Sequence, residues 1–300
     1  MSIEVIKSTS RGPGALLEGP HWDPVTQTLL YVDIYSGKVH RYTPATDSVE
    51  NVDVGEFVGA VVPTSSGKTI IAGRHHYAFL DWKTGSLIKI AEVDADKPDN
   101  RFNDGKCDPM GRFWAGTLGE SGESPDKAVP VKPKQGSLFC LHSDHTVTKH
   151  VENVDISNGL AWTSDHKTMY YIDSIAGGVD AFDYNNTTGA LSSRRRVIKV
   201  PFEEESLPDG MAIDEEGMLW VASYGKSRIN RYNPATGKKL QMLTFPATNV
   251  TSCCFGGPNY DILYVTTSSF QLTFDQPLAG SIFAVKDLGV KGLPANVYQD

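Results

Sequence analysis

Short apolar stretches alternate with turn-forming clusters along the whole chain, and most stretches open on the same step, a polar residue followed by glycine. The step is Glu18-Gly19 before Pro20-His21-Trp22, Asp104-Gly105 before Lys106-Cys107, Asn158-Gly159 before Leu160-Ala161-Trp162, and Asp209-Gly210 before Met211-Ala212-Ile213. Two degenerate copies, Val58-Gly59 and Ser252-Cys253, complete a set of six. The spacing, about 40 to 54 residues, is the period of a propeller, solenoid or array.

Each repeat continues in the same order. A second apolar core follows, as in Leu30-Tyr31-Val32, Phe113-Trp114-Ala115 and Leu219-Trp220-Val221, rich in the aromatic and β-branched residues that suit a pleated, buried surface. The linkers before these cores, such as Asp108-Pro109-Met110-Gly111 and Asp214-Glu215-Glu216-Gly217, carry the chemistry of tight hairpins. A third element, as in Lys38-Val39-His40-Arg41-Tyr42, alternates polar and apolar residues with the period of a half-buried strand. A fourth follows in most repeats, as at Val147–Val151, and no long amphipathic helix is read anywhere. Four strands per repeat and six repeats predict an all-β fold, a six-bladed β-propeller with four-stranded antiparallel blades around a central channel. It would occupy residues 1–300 as one domain, with Ile3–Ile6 pairing into the last blade to close the ring. The interval between third strands is longest across Gly119–Gln135, which is either a lid over the site or a plain surface insertion.

In a ring, equivalent positions face one axis. The residues before the repeated glycine would gather at one mouth of the channel, which makes Glu18, Asp104, Asn158 and Asp209 candidate oxygen donors to a hard divalent cation. The alternative is that each caps its own turn. Beside them, Arg101 can bind an oxygenated ligand with its forked guanidinium, and Asn103 can both donate and accept; the alternative is a surface loop with internal salt bridges.

Charge and composition narrow the classes. With 36 acidic and 28 basic residues the net charge is −8, which argues against a nucleic-acid surface. The run Arg194-Arg195-Arg196 is too short for a binding tract and reads as a turn or strand edge. No stretch has the length of a membrane span or a signal sequence, and the four cysteines have no metal spacing and read as reduced thiols. A cytoplasmic protein is expected. The histidines, His21, His75 and His76 included, form no HExxH or Cys/His set, and no phosphate loop or nucleophile elbow is present.

Taken in order, Glu18-Gly19-Pro20-His21-Trp22, Arg101-Phe102-Asn103-Asp104-Gly105-Lys106, Asp155-Ile156-Ser157-Asn158-Gly159-Leu160 and Pro208-Asp209-Gly210-Met211 resemble the regucalcin (senescence marker protein)/gluconolactonase family, nearest its animal regucalcins and insect luciferin-regenerating enzymes. The resemblance implies one divalent cation (calcium, zinc, manganese or magnesium) held by Glu18, Asn158 and Asp209. It implies substrate binding by Arg101 and Asn103, and Asp209 as catalytic acid/base. Asp104 is then left supporting the Arg101–Asn103 segment. The implied activity is hydrolysis of a small-molecule sugar lactone by a monomer without nucleic-acid or membrane partners. The alternatives are a calcium-binding regulatory protein and a hydrolase acting on a non-sugar substrate. A substrate-contacting glutamate of vertebrate members is replaced here by Ser121, flanked by Glu120 and Glu123, to neither of which the resemblance assigns that role.

Overall fold

In the computed structural model, which describes residues 1–6, 15–120, 131–272 and 276–300, the elements of each repeat are antiparallel strands of one sheet. Blade 1 comprises Leu17–Asp23, Thr28–Asp33, Lys38–Thr43 and Ser48–Asp53, paired in that order. The inner strands of blades 2 to 6 are Ala60–Pro63, Asn100–Cys107, Ser157–Trp162, Leu207–Ile213 and Asn249–Gly256. Each packs on the inner strand of the next blade and the sixth packs on the first, so the sheets close into a six-bladed β-propeller. Closure falls to Ser2–Ile6, which pairs with Ile282–Lys286 as the outer strand of blade 6, where the sequence predicted it. Pairing early and late segments in one sheet ties the ring shut and leaves no open inter-blade edge.

The core lies between blades. Six apolar clusters each draw residues from two adjacent blades, for example Leu17, Trp22 and Tyr31 of blade 1 with Tyr264 and Ile282 of blade 6. This is why the inner and second strands read as continuous apolar runs: both of their faces are covered. The outer strands are half-exposed, and Leu191–Lys199 carries the arginine run at its edge. Arg194 and Arg196 pair with Asp180, and Arg195 pairs with Asp183. The hairpin turns reach into this core as well. Asp108 and Asp214 each accept the indole N–H of a buried tryptophan, Trp114 at 2.8 Å and Trp220 at 2.9 Å.

The repeated polar–glycine step proves to be a β-bulge. The register of the inner strand against its neighbour slips between Glu18 and His21, Phe102 and Asp104, Asn158 and Leu160, Pro208 and Met211, and Val250 and Ser252. Only the degenerate blade 2 pairs without a slip. A bulge re-aims the side chain beside it, and here it recurs where each donor meets the channel. The glycines serve close approach more than turning. A Cβ on Gly210 would stand 1.9 Å from Ser252 Oγ of the next blade, and one on Gly59 would stand 2.6 Å from the Phe102 carbonyl carbon.

The face at the far ends of the inner strands is crossed by the last residues. The Leu293 amide donates to the Ile213 carbonyl, Gln299 to Gly111 and Tyr298 to Pro63. The segment expected as lid or insertion is described only at its ends, where Val131–Lys132 pairs with Gly119–Glu120; residues 121–130 lie outside the described residues. Among the described residues no helix is long and apolar enough to cross a membrane. The four cysteines are buried and free.

Candidate functional site

At the channel mouth formed by the starts of the inner strands lies a cavity of about 190 Å³. Glu18, Asn158 and Asp209, from blades 1, 4 and 5, line it together with Arg101 and Asn103 of blade 3. The ring thus brings all five predicted site residues to one place. Asp104, the fourth axial donor, is buried beside them without lining the cavity.

The carboxylates of Glu18 and Asp209 lie within hydrogen-bond reach of each other, and Asn158 reaches Asp209. Both carboxyls are buried. Burial pushes Glu18 well above the usual carboxylate range, and the charges of Asp209 and Asp104 push it further. Asp209 is raised in the same way, by burial first and then by Asp104. Asp104 is itself raised by burial, against the pull of Lys106. Asp104 therefore belongs electrostatically to the acidic group at the axis. No hydrogen bond links it to Arg101 or Asn103 among those described; its carboxylate accepts the Gly105 N–H at 2.7 Å. Glu18 likewise accepts the Gly19 N–H at 2.9 Å, so the turn-capping role weighed from the sequence coexists with convergence on the axis.

Asn158 is oriented by donating Nδ2 to Ser174 Oγ at 3.0 Å, which leaves its Oδ1 buried and without a partner. Two buried, mutually repelling carboxylates and an orphaned amide oxygen form an all-oxygen set that a divalent cation would neutralise and complete. No three Asp, Glu, His or Cys side chains among the described residues form such a set by themselves; this one depends on the amide of Asn158.

Arg101 anchors a second network in the lining. Arg101 is buried and donates through Nε to Glu120, and through Nη1 to Asn103 Oδ1 at 2.9 Å and to the Phe102 carbonyl at 3.1 Å. Burial works against its charge, but Glu120 and Tyr35 more than offset it, and the guanidinium is held above its ordinary range. Tyr35 donates its hydroxyl to the other oxygen of Glu120, and its ring stacks on Phe270 with centroids 4.4 Å apart. Asn103 is anchored by donating to the Ser157 carbonyl of blade 4 at 2.9 Å. Sequence reading left Glu120 without a role and missed Tyr35, Ser174, Tyr224 and Phe270, all of which line the cavity. Ser121 and Glu123 lie outside the described residues.

The sequence model described as "SMP-30/Gluconolactonase/LRE-like region" matches residues 16–269. The chain belongs to that family. It is similar to the regucalcin of Xenopus laevis, 46% identical over 285 residues that cover 94% of each chain. Among solved structures, a luciferin-regenerating enzyme superposes with a TM-score of 0.90 at 36% identity, covering 100% of this chain and 99% of that one. A regucalcin of Agrobacterium tumefaciens, described as a calcium-binding protein, superposes with a TM-score of 0.87 at 26% identity over 99% and 97% of the two chains. The SMP-30/gluconolactonase match begins and ends beside the cavity, and it includes Glu18, Arg101, Asn103, Asn158 and Asp209.

Proposed function

We propose that this chain hydrolyses lactones, sugar lactones in the first place, with one divalent cation held by Glu18, Asn158 and Asp209. The observation that carries the reading is the pairing of two buried carboxylates with the unpartnered Oδ1 of Asn158, in a cavity that a guanidinium also lines. When bound, the cation supplies Lewis-acid polarisation of the lactone carbonyl, and calcium, magnesium, manganese and zinc all accept oxygen donors of this kind. Membership of a family that includes gluconolactonases supports the reaction class.

The rest falls to the chain's own side chains. Asp209 takes a proton from the attacking water at its carboxylate and returns it to the ring oxygen as the ester bond opens. Arg101 has Nε and Nη1 committed within the protein, and its contact from Nη2 to Tyr35 is long at 3.4 Å, so Nη2 is the group that can turn to substrate. Asn103 fixes the guanidinium through its Oδ1 and stands beside it to meet a substrate hydroxyl. Glu120 and Tyr35 hold Arg101 in place, and the ring of Phe270 stacks on Tyr35. The test is hydrolysis of gluconolactone and related lactones in a pH-stat by wild type, Asp209→Ala and Arg101→Ala. The reading expects the first variant to lose turnover and the second to lose substrate affinity. A wild-type rate in Asp209→Ala contradicts it.

A calcium-binding regulatory role is the second reading, favoured by the description of the Agrobacterium tumefaciens relative as a calcium-binding protein. It requires calcium affinity in the micromolar range or tighter, which titration calorimetry measures directly.

A further inference from the structure

We propose that the opposite mouth of the propeller channel is a second ligand site, which takes a small organic carboxylate with an apolar body. This inference goes beyond the lactonase reading and does not depend on it. The inner strands all run in one direction: their starts carry the residues of the first cavity, and their ends line a second one of about 340 Å³. That volume lies within the ~300–1,000 Å³ range usual for small-molecule pockets. The final segment roofs it, with Asn296 Nδ2 donating to the Cys107 carbonyl at 3.3 Å.

Three observations fix the ligand class. First, in a chain of net charge −8, no aspartate or glutamate lines this cavity among the described residues, while Lys106 does. The Lys106 amine is half-buried and its one hydrogen bond among those described is to the Met211 carbonyl at 2.7 Å, which leaves further N–H groups for an anion. Second, two ring nitrogens of the lining residues, His21 Nε2 and Trp162 Nε1, are buried without a partner. An indole N–H can only donate, so what completes it is an acceptor. His21 is kept neutral, pushed down to about 4 by burial and by Lys106, and does not compete as a second charge. Third, most of the remaining wall is apolar, with Trp162, Ile213, Phe255 and Leu293 its largest side chains and Thr163, Ser164, His166 and Asn296 its polar ones, which suits a ligand whose body is largely hydrocarbon or aromatic. Cys107 and Cys254 also line it, but burial pushes both thiols far above their ordinary range, so the site binds and offers no nucleophile.

The test is calorimetric titration of the full chain with octanoate, octan-1-ol and octylamine, each in chelator and in calcium. The expected result is saturable octanoate binding under both conditions, at least tenfold tighter than the alcohol, with no binding of the amine. Lys106→Met should weaken octanoate at least tenfold. Ala295→Trp, which fills the cavity from the roof and leaves Lys106 intact, should abolish binding. Asp209→Asn, at the other mouth, should leave it unchanged. The proposal is overturned if octanoate does not saturate, or if the alcohol binds as well. Wild-type binding by a folded Lys106→Met or Ala295→Trp variant overturns it too, as does loss of binding in Asp209→Asn, which would place octanoate in the first cavity.

Discussion

Glu18 and Asp209, contributed by the first and fifth blades, bring their buried carboxylates within hydrogen-bond reach of each other, with Asp104 adding a third negative charge beside them. A buried acidic cluster of this kind is stable only if it holds protons or a cation.

The first prediction follows from that choice. Both carboxyls have folded-state pKa values raised above their unfolded ones, so the folded protein binds protons that the unfolded chain releases. Their cost to stability is absent below the ordinary carboxylate range and grows as pH rises towards the raised values. Without metal, thermal unfolding should therefore show wild type losing stability relative to Asp209→Asn as pH rises from about 4, the ordinary carboxylate range, towards the raised folded-state values. Calcium affinity should fall as pH is lowered through the same window, because the cation must displace those protons. A pH-independent difference between the two proteins would contradict the assignment.

The second concerns Glu120, which faces Arg101 and Tyr35 from the second strand of its blade. Replacing it with leucine leaves a buried guanidinium unpaired and should cost about 3–5 kcal/mol of stability. The milder Glu120→Gln keeps the shape but releases Arg101, and should lower kcat/KM roughly 10- to 100-fold, mainly through KM. Steady-state kinetics on one lactone check this. A changed kcat at constant KM would remove Glu120 from the positioning of Arg101.

The bulge glycines give the third. At Gly210 an added Cβ meets Ser252 Oγ at 1.9 Å, with Ser252 Cα only 2.7 Å away, so the inner strands of blades 5 and 6 must separate. Gly210→Ala should destabilise the protein by about 1–3 kcal/mol or more, as overpacking does. It should also weaken metal binding, because Asp209 immediately precedes it. Gly217, where a Cβ meets nothing within 4 Å, has φ +77°, so Gly217→Ala reports backbone strain alone. Chemical denaturation of the pair, with calcium titration, separates the two effects.

The repeat made the ring, the blade boundaries and the closing strand legible, because strand period and turn chemistry are local properties written into each copy. It also located Glu18, Asn158 and Asp209, whose positions within the repeat are equivalent. The bulge was not legible, since one extra residue in a strand leaves no compositional trace; only register shows it. Glu120 was left without a role, and Tyr35 was missed, for a different reason. Their contact joins blades 1 and 3 across the mouth, and no local signal predicts which side chains meet once the ring has closed. Lys106 stands in the same motif as Arg101 and Asn103, yet the strand carries it past Asp104 towards the other mouth, where it lines the second cavity.

The most direct test of the central claim, that these three oxygen donors hold a cation required for lactone hydrolysis, is a chelation and restoration series. Gluconolactone hydrolysis is followed in a pH-stat for wild type and Asn158→Leu, after exhaustive chelation and again after addition of calcium, magnesium, manganese or zinc. The account predicts that chelation abolishes wild-type turnover, that at least one of these cations restores it, and that Asn158→Leu, folded by circular dichroism, is not restored at the same metal concentration. Undiminished turnover in the chelated wild-type protein would contradict it.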